Sequence, residues 1–169
     1  MARALRNYEP VGPAFLDAGG SGHARASVTL PCSAETVFRC LEDGDAWCEW
    51  MGLTRVTWTS ARPLSVGATR TVEAFGDTLE ELFFTWEPGR CMAFCVVAGT
   101  NPLLLALAEE FKVTPLGATR CRLDYRGAMR MRLPSVMWVP AAALMGWVAA
   151  RGFKRLANYL VTHADRYAR

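Results

Sequence analysis

The chain has no C-x-x-C pair, and its two histidines, His23 and His163, stand in no ligand-like spacing. A structural zinc site draws on such donors at short intervals, so no metal is expected, and no cofactor is expected either. Net charge is also small: 19 Lys and Arg against 16 Asp and Glu leave a formal +3, with the basic residues scattered and no run of lysines. That excludes the basic footprint of a nucleic-acid binder. Residues 1–17 contain no apolar core of the length a secretory leader needs. The six cysteines, at 32, 40, 48, 91, 95 and 121, are therefore expected as reduced, mostly buried thiols in the cytoplasm rather than as the disulfides their even number would allow. None has a histidine placed to activate it, so thiol catalysis is not expected.

What the chain does have is apolar residues, 51% of 169, enough for one domain with a substantial core. Residues 1–23, with Pro10, Gly12, Pro13, Gly19, Gly20 and Gly22, are read as an extended amino-terminal arm without chemistry, and 24–169 as a single domain. The carboxy-terminal quarter organises that domain. Trp138, Ala142, Met145, Ala149, Phe153, Leu156, Leu160 and Tyr167 recur at helical steps and form one stripe, opposite Arg151, Lys154, Arg155, Asn158 and Asp165. Pro134 and Pro140 are tolerated only near a helix start, which predicts a long helix from about Pro140 to Tyr167.

The first half of this helix is apolar beyond its stripe, through Leu144, Trp147 and Val148, and rich in small residues from Ala142 to Gly152. A membrane span needs about 20 uninterrupted apolar residues. Leu133 to Ala150 is shorter, is broken by two prolines and is bounded by Arg132 and Arg151, so no stable membrane insertion is expected. The small residues either leave room for a bound molecule or allow close backbone packing.

Upstream, Ala24 to Leu30 alternates as a first strand, Pro31 ends it, and Ser33 is placed to cap a short helix holding Val37, Phe38 and Leu41. Asp43-Gly44-Asp45 breaks that helix, and Trp47 to Met51 forms a second short one. From Leu53 the period becomes two, giving strands at Val56 to Trp58, Thr69 to Phe75, Leu79 to Trp86, Cys91 to Ala98, Leu105 to Val113 and Arg120 to Met129, separated by Gly and Pro turn signals. The expectation is an α+β fold with a seven-stranded, mostly antiparallel sheet, two short helices after its first strand and a long helix at the end.

The segments VTLPCSAETVFRCLEDGDAWCEWMG (28–52), VGATRTVEAF (66–75), EELFFTWEPGRCMAFCV (80–96) and EEFKVTPLGATRCRL (109–123) carry a resemblance. In order come Pro31 after the first strand, Trp47 with Trp50, Gly67 before a strand, Glu81 followed by Trp86-Glu87-Pro88, and Phe94. Over roughly residues 24–165 the chain resembles the polyketide cyclase/dehydrase and lipid-transport proteins of the START-like (SRPBCC, Bet v 1-like) superfamily. The resemblance implies a helix-grip fold, in which the sheet wraps around the long helix and encloses an apolar cavity. It also implies binding of lipids, quinones, polyketides or hormones, with catalysis in some members only.

Strand registers follow from the turns themselves. A two-residue Gly76-Asp77 turn pairs Ala74 with Leu79, Val72 with Glu81 and Arg70 with Phe83, and a loop from Glu87 to Arg90 pairs Phe83 with Phe94 and Thr85 with Met92. One face then carries Arg70, Val72, Glu81, Phe83, Met92, Phe94 and Val96, and is assigned to the cavity, although Leu82, Phe84, Trp86 and Cys95 make the other face apolar too. A loop from Pro115 to Thr119 pairs Val113 with Cys121, Phe111 with Leu123 and Glu109 with Tyr125. The expected ligand-contacting set is completed by Glu109, Phe111 and Tyr125 from the last hairpin, Trp47, Trp50 and Trp138 at the seam between helix and sheet, and Met145, Ala149 and Phe153 from the helix.

Only a few polar groups in this set can do chemistry, and each has two readings. Arg70 with Glu81 is a structural ion pair or a substrate contact. Glu109 with Tyr125 is a satisfied core pair or orients a ligand's polar group. Glu35, Glu42 and Asp43 are expected to be solvated. The preferred function is binding or transport of a hydrophobic small molecule between sheet and helix; the alternative is a cyclase or dehydratase in which Glu109 or Glu81, with Tyr125 as donor, moves protons.

Overall fold

A computed structural model describes residues 3–18 and 22–167. Its sheet consists of β1 (Arg6–Asn7), β2 (His23–Leu30), β3 (Arg55–Trp58), β4 (Thr69–Ala74), β5 (Asp77–Glu87), β6 (Cys91–Gly99), β7 (Leu104–Gly117) and β8 (Arg120–Met131). Seven strands run in the order β2-β8-β7-β6-β5-β4-β3, and β1 pairs with β6. All pairings are antiparallel. Helices α1 (Pro13–Asp17), α2 (Ala34–Glu42), α3 (Gly44–Trp50) and α4 (Trp138–Tyr167) complete the chain. From His23 onward this is the expected order of strand, two short helices, six strands and long helix, and α4 packs against the sheet in the helix-grip arrangement.

The short helices form where the capping chemistry places them. Ser33 Oγ accepts the Thr36 amide at 3.1 Å and starts α2. Asp43 starts α3, its Oδ1 accepting the Asp45 amide at 3.1 Å. Asp43 is more than a cap, and the expectation that it is solvated does not hold: its Oδ2 accepts the Tyr167 hydroxyl at 2.7 Å and meets Arg166 at 2.9 Å. One carboxylate thus ties the end of α4 to the junction of α2 and α3. Pro140 sits in the first turn of α4, where its missing amide has no intrahelical partner to lose. Further along, Phe153, Leu156 and Leu160 are buried in the main core with Phe38, Leu41 and Trp50.

Two hairpins are each displaced by two residues from the turn-based registers. In the first, Phe75 (φ 53°) and Gly76 (φ 81°) both take left-handed conformations, so the tight turn is Phe75-Gly76 and not Gly76-Asp77. Arg70 then pairs directly with Glu81, and Val72 with Leu79. In the second, the strands continue through an irregularity at Pro115–Gly117 down to a two-residue tip, so that Phe111 pairs with Tyr125 and Glu109 with Gly127. A slip of two keeps every side chain on its expected face.

Phe83 does pair with Phe94, but a bulge between Phe83 and Thr85 changes the phase, so Trp86, not Thr85, stands opposite Met92. Trp86 accordingly joins Phe38, Trp58 and Phe83 in the main core instead of the outer face. The outer face is apolar for a separate reason: the amino-terminal segment packs on it. Leu16 of α1 is buried with Ala93, Cys95, Ala108 and Ala128, flanked by Phe15, Leu82 and Phe84.

Loss of the Asp43 tie is expected to destabilise the fold measurably. Asp43→Ala removes a helix cap and the acceptor for Tyr167, and should lower unfolding free energy by about 2 kcal/mol in urea titrations. Tyr167→Phe, which removes only the hydroxyl, should cost about half as much.

Candidate functional site

A cavity of about 460 Å³ lies between the first half of α4 and the inner faces of β4, β5, β7 and β8. Its position follows from the distribution of side-chain size. Near α2 and α3 the inner face carries Phe83, Phe94 and Phe111, whose rings pack on one another and on Trp47, Trp58 and Phe153 and fill that end. Toward the β4–β5 turn the same face carries Val72, Ala74 and Leu79, and α4 opposes it with Ala141, Met145 and Ala149. Aliphatic and small side chains leave the gap there that the rings close elsewhere.

Four polar side chains meet at the inner part of this cavity. Arg70 Nε donates to Glu81 Oε2 at 2.5 Å, with both side chains almost fully buried. The guanidinium carbon lies 4.6 Å from the Trp47 ring centroid, 4.9 Å from that of Phe94, 5.2 Å from Phe83 and 5.4 Å from Trp58. This cage of ring faces stabilises a cation that water no longer solvates. Arg70 Nη1 has no hydrogen-bond partner among the described residues. Burial raises the Glu81 carboxyl, and the neighbouring Arg70 charge and hydrogen bond oppose the rise.

Next to this pair, the Tyr125 hydroxyl donates to Glu109 Oε1 at 2.7 Å. Gly127 makes that bond possible. It stands opposite Glu109, and a Cβ built on it would lie 2.4 Å from the Tyr125 hydroxyl and 2.9 Å from the end of Met145. Burial pushes the Glu109 carboxyl up to about 7, an effect that Glu81 reinforces and that Tyr125 and Arg70 oppose. Burial, with the adjacent Glu109 carboxylate, also holds the Tyr125 phenol well above its usual range, so it remains a donor. A carboxyl balanced near neutrality beside a protonated phenol can accept or give a proton at physiological pH.

Of the residues expected to contact a ligand, Trp47, Arg70, Val72, Glu81, Glu109, Tyr125, Met145 and Ala149 line the cavity. Trp50, Phe83, Met92, Phe94, Phe111 and Phe153 do not: they are core residues in the aromatic end. Trp138 is also outside, its indole donating to the Leu133 carbonyl at 3.0 Å beside Gly22. Large rings are the groups that fill space, so they mark where the cavity ends. The residues missed are mainly aliphatic: Leu53, Leu79, Leu104, Leu107, Met129, Met131 and Leu144, together with Phe75 at the turn. Extending the alternation of β8 from Tyr125 and Gly127 to Met129 and Met131 would have found two of them. The small residues of α4 divide between both readings, since Ala141 and Ala149 face the cavity while a Cβ on Gly152 would lie 2.8 Å from Met51 Sδ.

The raised Glu109 carboxyl has a defined effect on stability. A carboxyl that binds its proton more tightly when folded contributes fully below its unfolded value of 4.5, and that contribution is lost as pH rises through about 7. Ionising it in place then costs on the order of 3 kcal/mol. Glu109→Gln, which keeps an acceptor for Tyr125, should therefore gain stability relative to wild type between pH 5 and pH 8, read as a growing difference in thermal midpoint. A difference independent of pH would show that Glu109 ionises freely in the folded protein.

The uncharacterized protein Rv2574 of Mycobacterium tuberculosis is 35% identical over 113 residues, 66% of this chain and 67% of its own length. A START superfamily protein from Mycobacterium smegmatis superposes with a TM-score of 0.63 at 16% identity, over 85% of this chain and 97% of its own. The Zhui aromatase/cyclase of a Streptomyces species superposes at 0.62 with 18% identity, over 87% of this chain and 95% of its own. The profile of one family, polyketide cyclase / dehydrase and lipid transport, matches residues 21–161. With that match spanning most of its length, the chain belongs to the polyketide cyclase/dehydrase and lipid-transport family and has its START-like, helix-grip fold.

Proposed function

We propose that this protein binds one hydrophobic small molecule, elongated or polycyclic, in the cavity between the sheet and α4, for storage or transport. The observation that carries the reading is the combination of largely aliphatic walls with an inner polar end, where Arg70, Glu81, Glu109 and Tyr125 converge. Its volume of about 460 Å³ is in the range of small-molecule sites. Burying roughly 300 Å² of apolar ligand surface is worth on the order of 7 kcal/mol before association costs.

The polar end favours a ligand that presents an oxygen acceptor. Glu109 in its protonated form is a donor at this end, beside Arg70, whose buried Nη1 has no hydrogen-bond partner among the described residues. A ketone, quinone or carboxylate oxygen would accept from Glu109, with the Arg70 charge close by, whereas a pure hydrocarbon would leave that donor unmet. The amino-terminal segment is read as a cover for the outer face of a single domain, outside the chemistry. The second half of α4 lies in the core, which argues against stable insertion of that helix in a membrane. Six free thiols favour a reducing compartment, the cytoplasm.

A second reading is catalytic. A Glu109 carboxyl balanced near 7 beside the Tyr125 phenol is suited to moving protons in a cyclisation or dehydration, and the structural likeness to an aromatase/cyclase gives it weight. Titration of a fluorescent fatty acid and of a polycyclic quinone separates the cases. Both probes should bind wild type, and Tyr125→Phe should weaken binding by about 1 kcal/mol, roughly fivefold. If the protein is an enzyme, Glu109→Gln should keep quinone-like binding while turnover of a polyketide-type substrate falls about a hundredfold or more. Failure of every such probe to bind would remove both readings.

A further inference from the structure

The rim of the cavity carries apolar surface that the domain itself does not cover. Phe75 at the β4–β5 turn is 79% exposed and Leu144 on α4 is 60% exposed, and both line the mouth. Trp147, one turn of α4 further on, is 59% exposed, and Val136, Met137 and Val139 are exposed before it. Along Ser135–His163, a helical stretch long and apolar enough to cross a bilayer by length and composition, only 22% of the most apolar 18-residue window is buried. Phe75 adds a local oddity, because a bulky residue at φ 53° takes a conformation that Gly or Asn adopts at lower cost. An aromatic side chain held in that position stays mostly exposed.

Along the chain from the second half of β8 through most of α4 the charges have one sign. Between Asp124 and Asp165 the sequence has no Asp or Glu, yet it has Arg126, Arg130, Arg132, Arg151, Lys154 and Arg155. Arg126 is paired with Glu110 and Asp17, and Arg130 with Glu9. The other four are exposed and in no ion pair among the described residues. Leu144, Trp147, Arg151 and Lys154 follow at steps of three, four and three, hence on one face of α4 opposite Ala149, Phe153 and Leu156, and the Arg151 guanidinium lies 5.7 Å from the Trp147 ring centroid. The one carboxylate lining the mouth, Asp77, is occupied by Arg3, Thr100 and Asn101.

We propose that this face docks on an anionic lipid bilayer, with Phe75, Leu144 and Trp147 entering the boundary between headgroups and acyl chains and Arg132, Arg151, Lys154 and Arg155 meeting lipid phosphates. A second copy of the chain fits less well. A two-fold contact would set Arg151 and Lys154 against their own kind with no acidic residue on the face to pair them. The docking is peripheral, since the second half of α4 stays in the core. Its consequence builds on the ligand-binding reading above: Leu144 belongs both to this face and to the cavity mouth, so docking sets the edge of the mouth at the bilayer boundary, where an apolar ligand would pass between bilayer and cavity.

Sedimentation with phosphatidylcholine vesicles, with and without phosphatidylglycerol, tests the docking. Wild type should pellet with the anionic vesicles, should stay in solution with the neutral ones, and should be released by high salt. Trp147→Ser and the double variant Arg151→Glu/Lys154→Glu should each bind about tenfold more weakly or worse. None of these residues lines the cavity, so the same variants should bind the fluorescent probe in vesicle-free buffer as wild type does. No pelleting with anionic vesicles by a protein that still takes up the probe overturns the docking alone. Pelleting by a protein that takes up no probe supports docking and removes the ligand reading. Pelleting equal on both vesicle types and insensitive to salt overturns the anionic assignment, and a dimer in solution that Trp147→Ser dissolves assigns the face to a second copy instead.

Discussion

A guanidinium that is 2% exposed cannot stand in an apolar interior without neighbours that replace its water, and Arg70 sets the terms for the rest of this site. Glu81 supplies the opposite charge, four aromatic rings supply their faces, and the β4–β5 register must bring position 70 directly opposite position 81. The Phe75-Gly76 turn delivers that register, and it also puts the Phe75 ring at the cavity mouth. One electrostatic requirement therefore connects the buried end of the cavity to its rim. It reaches Glu109 as well, whose proton affinity depends on burial first and then on Tyr125, Glu81 and Arg70.

The architecture was legible because its signals are periodic and redundant. Stripe positions in α4 from Ala142 to Leu160 bury or line the cavity, and Ser33 caps the helix it was assigned. Registers were less legible, since a Phe in a left-handed turn position and an irregular strand end at Pro115–Gly117 are not what turn preferences select. Both errors were of two residues, so Arg70, Val72, Glu81, Phe111 and Tyr125 kept their faces. The bulge after Phe83 was different: it changes parity, and Trp86 consequently moved from the expected outer face to the core.

The site divides along the same physical line. The polar groups that line the cavity are legible in the sequence because a charged or hydroxylated residue on an apolar strand face is rare and needs a partner. The apolar walls are half legible, because inward-facing aromatic residues look like cavity lining while their volume closes the space. Leu79, Leu107, Met129 and Met131 give no signal of their own in a sequence where every strand has aliphatic positions. The double apolarity of the sheet has an equally local cause in Leu16 and Phe15, which cover the outer face from a segment expected as an extended arm without chemistry.

The proposed function requires that the cavity hold a ligand against its polar end. Native mass spectrometry of the purified protein tests that directly, with Ala149→Trp as the control that fills the cavity from α4. The expected result is a second species, heavier by one oxygen-containing apolar molecule, in wild type and not in the variant. A wild-type protein that carries no added mass after incubation with a fatty acid or a quinone, and is indistinguishable from Ala149→Trp, would contradict it.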